Sequence, residues 1–220
     1  MNTRPLLVIG NKNYSSWSLR PWLLLRHFGV AFDEMRLPLD TPQFASDIER
    51  WSPSRRVPAL RHGELTIWDS LAICEYVDET FLDRTGWPSD AAARAIARSV
   101  SAEMHAGFAA LRSGLPMNCR KRVADFVPGA DAQRDIERVC ALWRDCRARF
   151  GNARAWLFDE FSIADAMYAP VALRFVTYGI ALDEVSRAYV DSVLGNSAIS
   201  QWLRAAAAET EALPATDRIA

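Results

Sequence analysis

The first eighty residues change hydrophobic period in a fixed order, and that order restricts the fold more than any other feature of the chain. Leu6-Leu7-Val8-Ile9 is a short apolar run of strand length. Gly10 to Tyr14 is turn-rich. A helix then carries Trp22, Leu23, Leu25 and Phe28 and is closed by Gly29. Residues 31–37 form a second strand candidate, and the spacing suits a parallel crossover. Thr41 to Ser54 is polar, contains proline and lacks clear periodicity. Val57 to Arg61 and Leu65 to Trp68 flank His62-Gly63-Glu64, which has the length and chemistry of a hairpin turn. Asp69 opens a helix through Phe81. Strand, helix, strand, then two strands and a helix specify a mixed sheet with helices packed against it.

Pro21 limits the first helix. Its missing N–H is harmless only in the first turn, so the spacing predicts a cap at Ser18 rather than at Ser15, with Ser16 the other possible start. Leu82 to Ser89 contains Asp83-Arg84-Thr85-Gly86-Trp87-Pro88 and reads as a linker. Beyond it only helical periodicity recurs, over roughly 89–112, 131–150, 162–176, 184–194 and 197–212. The expected division is residues 1–82, a linker at 83–89, and an all-helical part at 90–220.

Charge narrows the function classes. The chain has 26 Lys+Arg against 27 Asp+Glu in 220 residues, without the basic surplus that neutralises phosphates, so nucleic acid is not an expected partner. Neither a signal-like apolar segment nor an 18-residue apolar run is present, which predicts a cytoplasmic protein away from membranes. Cys74, Cys119, Cys140 and Cys146 make no Cys-x-x-Cys and find no histidines at zinc spacing; reduced thiols and no bound metal are expected.

Three segments carry candidate chemistry. Tyr14-Ser15-Ser16-Trp17-Ser18-Leu19-Arg20 places hydroxyls where free N–H groups and the positive end of a helix dipole attract an anion, a thiolate included. A serine there is more often simply a cap, but three are not all needed for that. Arg55-Arg56-Val57-Pro58 puts proline at a strand start, where a cis bond would turn the preceding backbone toward a peptide ligand. Trp68-Asp69-Ser70 joins a strand end to a helix start and offers a carboxylate, a hydroxyl and open N–H groups to a ligand bearing both an ammonium and a carboxylate; a plain Asp N-cap is the competing reading.

Taken together, these segments resemble the glutathione transferase family over nearly the whole chain. Ser15-Ser16-Trp17-Ser18-Leu19-Arg20 looks like the Ser-Ser-x-Ser-x-Arg motif of serine-type, zeta-like members. Val57-Pro58 matches the family's cis-proline, and Asp69-Ser70 falls where relatives carry Glu/Gln-Ser. Phe161-Ser162-Ile163-Ala164-Asp165 is similar to the family's capping box, a structural element. The resemblance implies a thioredoxin-like first domain of βαβ-α-ββα order, a helical second domain, glutathione as co-substrate and a homodimer. It implies Ser15 as the thiolate donor with Ser16 as runner-up, and Arg56, Val57, Pro58, Asp69 and Ser70 as glutathione contacts. Trp17, Met104, His105 and Phe108 are candidates for an electrophile pocket between the domains, although Met and aromatics at helical spacing are more often core. The implied activity is conjugation of the glutathione thiol to a small electrophile. Glutathione-dependent cis–trans isomerisation of a maleylacetoacetate-type substrate and a non-catalytic glutathione-binding module are the alternatives. A thiol–disulfide role is disfavoured by serine, not cysteine, before the first helix.

Overall fold

The computed structural model describes residues 4–151 and 155–219. A four-stranded sheet has the order β2-β1-β3-β4, built from β1 (Leu6–Ile9), β2 (Asp33–Arg36), β3 (Ala59–His62) and β4 (Leu65–Trp68). β1 pairs with β2 in parallel and with β3 antiparallel, and β3 continues antiparallel into β4. The continuous apolar run of β1 follows from its two covered faces. Successive side chains alternate across a strand, so Leu7 and Ile9 enter the main core, while Val8 joins a smaller cluster with Leu37, Ile48 and Ala59. His62 pairs with Leu65, leaving Gly63 and Glu64 as a two-residue turn in which Gly63 has φ of 61°.

α1 (Ser16–His27) and α3 (Ser70–Phe81) cover one face of the sheet, and the short α2 (Pro42–Ile48) covers the other. α2 falls in the poorly patterned segment; the Thr41 hydroxyl accepts from the Phe44 N–H and proline occupies the first turn, where no N–H is missed. α1 corrects the expected cap. The helix begins at Ser16, Ser15 holds the cap position, and Pro21 lies inside. A proline there removes the bond to the carbonyl four residues back. Tertiary burial outweighs that loss, because Leu19, Leu23, Leu24 and Leu25 are all fully or almost fully buried.

The remaining helices are α4 (Ala91–Ala106), α5 (Ala109–Gly114), α6 (Ala130–Phe150), α7 (Ile163–Thr177), α8 (Glu184–Gly195), α9 (Ser197–Ala208) and α10 (Pro214–Asp217). The periodic stretch 89–112 is two helices rather than one. It breaks at Gly107, where an added Cβ would lie 2.8 Å from the Glu103 carbonyl oxygen, and at Phe108, which adopts φ of 57°. α7 starts with the expected capping box: the Asp165 carboxylate accepts from the Ser162 N–H at 2.9 Å. One apolar cluster runs without interruption from Leu7 and Ile9 through Leu23 and Ile73 to Met104, Trp143 and Tyr168, so the sheet-bearing and helical parts share a core. Among the described residues, no helix is long and apolar enough to cross a membrane.

Candidate functional site

The loop between β1 and α1 is held chiefly by groups remote in sequence. The Asn11 carbonyl turns the chain by accepting from Tyr14 N–H at 3.1 Å and Ser15 N–H at 2.8 Å. Glu209, just past α9, accepts from the backbone N–H groups of Lys12 and Asn13 at 2.7 and 3.0 Å. The Trp202 indole donates to the Lys12 carbonyl at 2.9 Å, and the buried amide of Asn13 donates to Asn118 Oδ1 at 3.1 Å. Ser15 is thereby placed by α9 and the 118–120 segment as much as by its own helix.

The serines have distinct partners. Ser15 makes no capping bond; its Oγ lies 2.7 Å from Ser18 Oγ, which accepts from the Gly10 N–H at 3.1 Å. The Ser15 hydroxyl is thus not used as a cap, as the sequence suggests, although the reason is the Ser18 contact and not a later helix start. Ser16 Oγ accepts from Arg174 Nη2 at 3.2 Å. Ser15, Ser16 and Ser18 are all buried. Trp17 is half-buried and has two guanidiniums near its ring, with Arg20 Cζ 4.2 Å and Arg112 Cζ 5.0 Å from the ring centroid; the His105 ring meets it edge-on at 5.4 Å.

A cavity of about 400 Å³ opens beside Trp17 and is lined also by Ser54, Arg56, Val57, Pro58, Trp68, Asp69, Ser70 and His105. The Val57–Pro58 peptide is cis. Asp69, at φ of 77°, caps α3: Oδ1 accepts from Leu71 N–H and Ala72 N–H at 2.9 and 3.2 Å, while Oδ2 lies 3.0 Å from His105 Nε2. Ser70 Oγ accepts from Arg20 Nη1 at 3.4 Å.

The cavity gathers seven of the residues singled out from sequence: Trp17, Arg56, Val57, Pro58, Asp69, Ser70 and His105. Ser15 and Ser16 directly precede Trp17 in the chain but are not among the lining residues. Met104 and Phe108 do not line it either. Met104 is fully buried in the core, because neighbours on a helix point about 100° apart and His105 takes the cavity-facing direction; Phe108 is buried at the break between α4 and α5. Ser54 lines the cavity and was not anticipated. Arg112 and Arg174 were also missed, although a lone cation in the otherwise apolar Ala166–Val176 stretch is a usable signal for Arg174. A second hollow of about 470 Å³ lies beside the linker, lined by charges of both signs, Arg84, Arg149, Asp159 and Glu160 among them, and is remote from these segments in sequence.

Two of the guanidiniums around α1 are deeply buried, while Asp69 and Asp135 supply negative charge near Arg20 and Arg112. Arg20 and Arg174 are 1% and 4% exposed, and among the described residues neither they nor Arg112 pair with a carboxylate. Burial, reinforced by Arg174 and Arg112, lowers the pKa of Arg20 to about 9. Burial and then Arg112 lower that of Arg174 to about 10. The arrangement offers a positive, hydroxyl-bearing helix start beside a cavity with cationic and hydrogen-bonding walls, suited to a peptide-like anion. Among the described residues no cluster of His, Cys, Asp and Glu is arranged to hold a metal.

A family profile described as the glutathione S-transferase N-terminal domain matches residues 14–80, the stretch that contains all three segments. Maleylacetoacetate isomerase of Rattus norvegicus is 30% identical over 169 residues, 76% of each chain, and its Mus musculus counterpart is 32% identical over 169 residues with the same coverage. Among solved structures, a glutathione transferase homolog from Burkholderia GL BGR1 with bound glutathione superposes with a TM-score of 0.72 over 94% of this chain and 100% of that one, at 23% identity, and so shares the fold. With the hydroxyl-bearing start of α1, the cis Val57–Pro58 peptide and the Asp69-Ser70 helix start all in the positions the resemblance implies, the chain belongs to the glutathione transferase family.

Proposed function

We propose that this transferase ionises the glutathione thiol at the start of α1 through Ser15 and transfers the sulfur to a small electrophile. The observation that carries the reading is the meeting, at one cavity, of Trp17 from the first turn of α1, the Arg56-Val57-Pro58 bend and the Asp69-Ser70 start of α3. The Val57 backbone suits the cysteinyl peptide of glutathione, Arg56 its glycine carboxylate, and Ser70 its γ-glutamyl carboxylate. Asp69 faces the γ-glutamyl ammonium while it also caps α3.

Ser18 sets the direction of the hydroxyl pair. Ser18 Oγ accepts from the Gly10 N–H and lies 2.7 Å from Ser15 Oγ; in the proposed reading Ser18 is the donor of that pair, which leaves the Ser15 proton for sulfur. A free thiol of pKa near 8.5 is only a few per cent ionised at pH 7, and lowering it by about two units takes about 2.7 kcal/mol. One charge-assisted hydroxyl bond contributes about 1.5–3 kcal/mol and the helix terminus about 0.3–1 kcal/mol more. No side-chain base is required: the thiol proton leaves to solvent, the sulfur lone pair forms the S–C bond, and the leaving group departs with its bonding electrons.

The isomerase relatives favour a second reading, in which the thiolate adds to a cis double bond, the new single bond rotates, and the thiolate is expelled. A homodimer and a cytoplasmic location complete the proposal, the latter supported by four free, buried cysteines. The test is Ser15→Ala assayed with a chloro-nitroarene and, in parallel, with a maleylacetoacetate-type substrate. Turnover falls more than tenfold while glutathione still binds; near-normal turnover would move the role to Ser16, and the substrate turned over by the unmodified protein separates conjugation from isomerisation.

A further inference from the structure

Arg174, the lone charge in the Ala166–Val176 stretch of α7, contacts the first turn of α1. Its Nε donates to the Leu115 carbonyl at 2.7 Å, Nη1 to the Pro170 carbonyl at 3.3 Å, and Nη2 to Ser16 Oγ at 3.2 Å. Arg20, one turn further along α1, is buried too, with its Nε unpartnered and Nη1 on Ser70 Oγ. Arg112 completes the group, its Cζ 5.0 Å from the Trp17 ring centroid. Burying guanidiniums near one another is costly unless an anion compensates them, and an unpaired buried cation is among the least tolerated features of a fold. Among the described residues no carboxylate answers Arg174, whose neighbouring titratable groups are Arg112, Tyr178 and Cys119. Around the start of α1 the charged groups are Arg20 on α1, Arg112 on α5 with Asp135 of α6 acting on it, Arg174 on α7, Arg56 before β3, the Asp69–His105 pair between α3 and α4, and, on the loop that enters α1, Lys12 with Glu209 and Asp217, which accepts from the Tyr14 hydroxyl.

We infer that Arg174 is a positioning residue of the thiolate site, holding Ser16 and supplying, with Arg20, positive potential that favours the ionised form of a thiol bound at the start of α1. The inference rests on the proposed thiolate reading. The compensating anion is then the substrate sulfur itself: the S–H bond breaks, the proton passes to solvent, and the electron pair stays on sulfur facing the Ser15 hydroxyl, next in the chain to the Ser16 that Arg174 holds. Ser16 Oγ accepts from Arg174 and keeps its own proton to donate, so the helical half of the chain acts directly on the ionisation of a ligand held by the sheet-bearing half.

The test is the pH titration of the ultraviolet absorption of bound glutathione thiolate, together with the pH profile of kcat/KM, in Arg174→Met and Arg174→Lys. In Arg174→Met the midpoint of both rises by about one pH unit, so activity below the midpoint falls about tenfold and recovers as pH is raised. Arg174→Lys, which keeps the charge but loses the guanidinium fork, lies between that variant and the unmodified protein. A folded Arg174→Met that binds glutathione with an unchanged midpoint overturns the inference and leaves Arg174 as a brace for Leu115. If neither Arg174 variant folds, Ser16→Ala reads the same link: a raised midpoint supports it and an unchanged one overturns it. Absence of saturable glutathione binding by the unmodified protein removes the proposed function as well, and is seen before any variant is made.

Discussion

His105 Nε2 lies 3.0 Å from Asp69 Oδ2, so the last turn of α4 grips the residue that caps α3. The side chains are 27% and 42% exposed, and water screens the pair. His105→Ala is therefore expected to change stability by less than about 1 kcal/mol, since Asp69 Oδ1 still caps Leu71 and Ala72. The same change frees the carboxylate to turn away from the cavity, and the KM for glutathione rises about threefold to tenfold with kcat little altered. Thermal unfolding and steady-state kinetics on one preparation check both; an unchanged KM would show that the pair does not orient the ligand.

Ser15 and Ser18 are expected to separate activity from stability. Ser18→Ala strands the buried Gly10 N–H and costs about 1–3 kcal/mol, with turnover reduced severalfold as Ser15 loses its partner. Ser15→Ala leaves the Gly10–Ser18 bond in place, costs less stability and loses more turnover. Denaturant midpoints beside kcat report the order, and the reverse order would contradict the proposed direction of the hydroxyl pair.

Glu209 should matter to the site although it follows Ser15 by most of the chain. Its carboxylate is 7% exposed and accepts from the Lys12 and Asn13 N–H groups. Glu209→Ala leaves two N–H groups unpaired, for a loss of about 2–4 kcal/mol, and lowers kcat through the loop that leads into Ser15. Glu209→Gln keeps one acceptor oxygen and does less harm. Equal loss in the two variants, by urea unfolding, would place the effect elsewhere in the side chain.

Asp165 sets a pH dependence of folding. Burial raises its pKa from the ordinary 3.8 to about 6, against hydrogen bonds from the Ser162 and Leu157 N–H groups that favour the carboxylate. The folded protein thus holds this proton more tightly than the unfolded chain. The contribution is full below about pH 4 and is lost as pH rises through about 6. Asp165→Asn, which cannot titrate, should flatten the decline of unfolding free energy across that interval even though it weakens the capping box. Equal slopes for the two proteins in urea unfolding at stepped pH would refute this assignment.

Much of the architecture is legible in the sequence, because its determinants are neighbours in the chain. The apolar run of β1, the Gly63 turn, the Asp69 cap and the Ser162–Asp165 capping box each depend on residues a few positions apart, and local sterics and hydrogen bonding decide them. The same holds for the three segments that meet at the cavity and for the likeness to glutathione transferases they carry. The start of α1 was misplaced because Pro21 is a local signal that packing around Leu19 to Leu25 overrides. Met104 and His105 could not be told apart by composition; the rotation of α4 about its axis sends one to the core and the other to Asp69.

Local sequence is enough for the order of the strands, for most of the helices and for caps such as Asp69 and Ser162. What surrounds the serines comes from tertiary packing. Arg174, Glu209, Trp202 and Asn118 are between 103 and 194 positions from Ser15 in the chain, and no periodicity links residues that far apart. Burial brings them together, because the apolar face of α1 has to be covered by α3, α7 and α9 at once, and that packing carries a buried cation and a carboxylate to the loop and helix turn where the chemistry is proposed to occur.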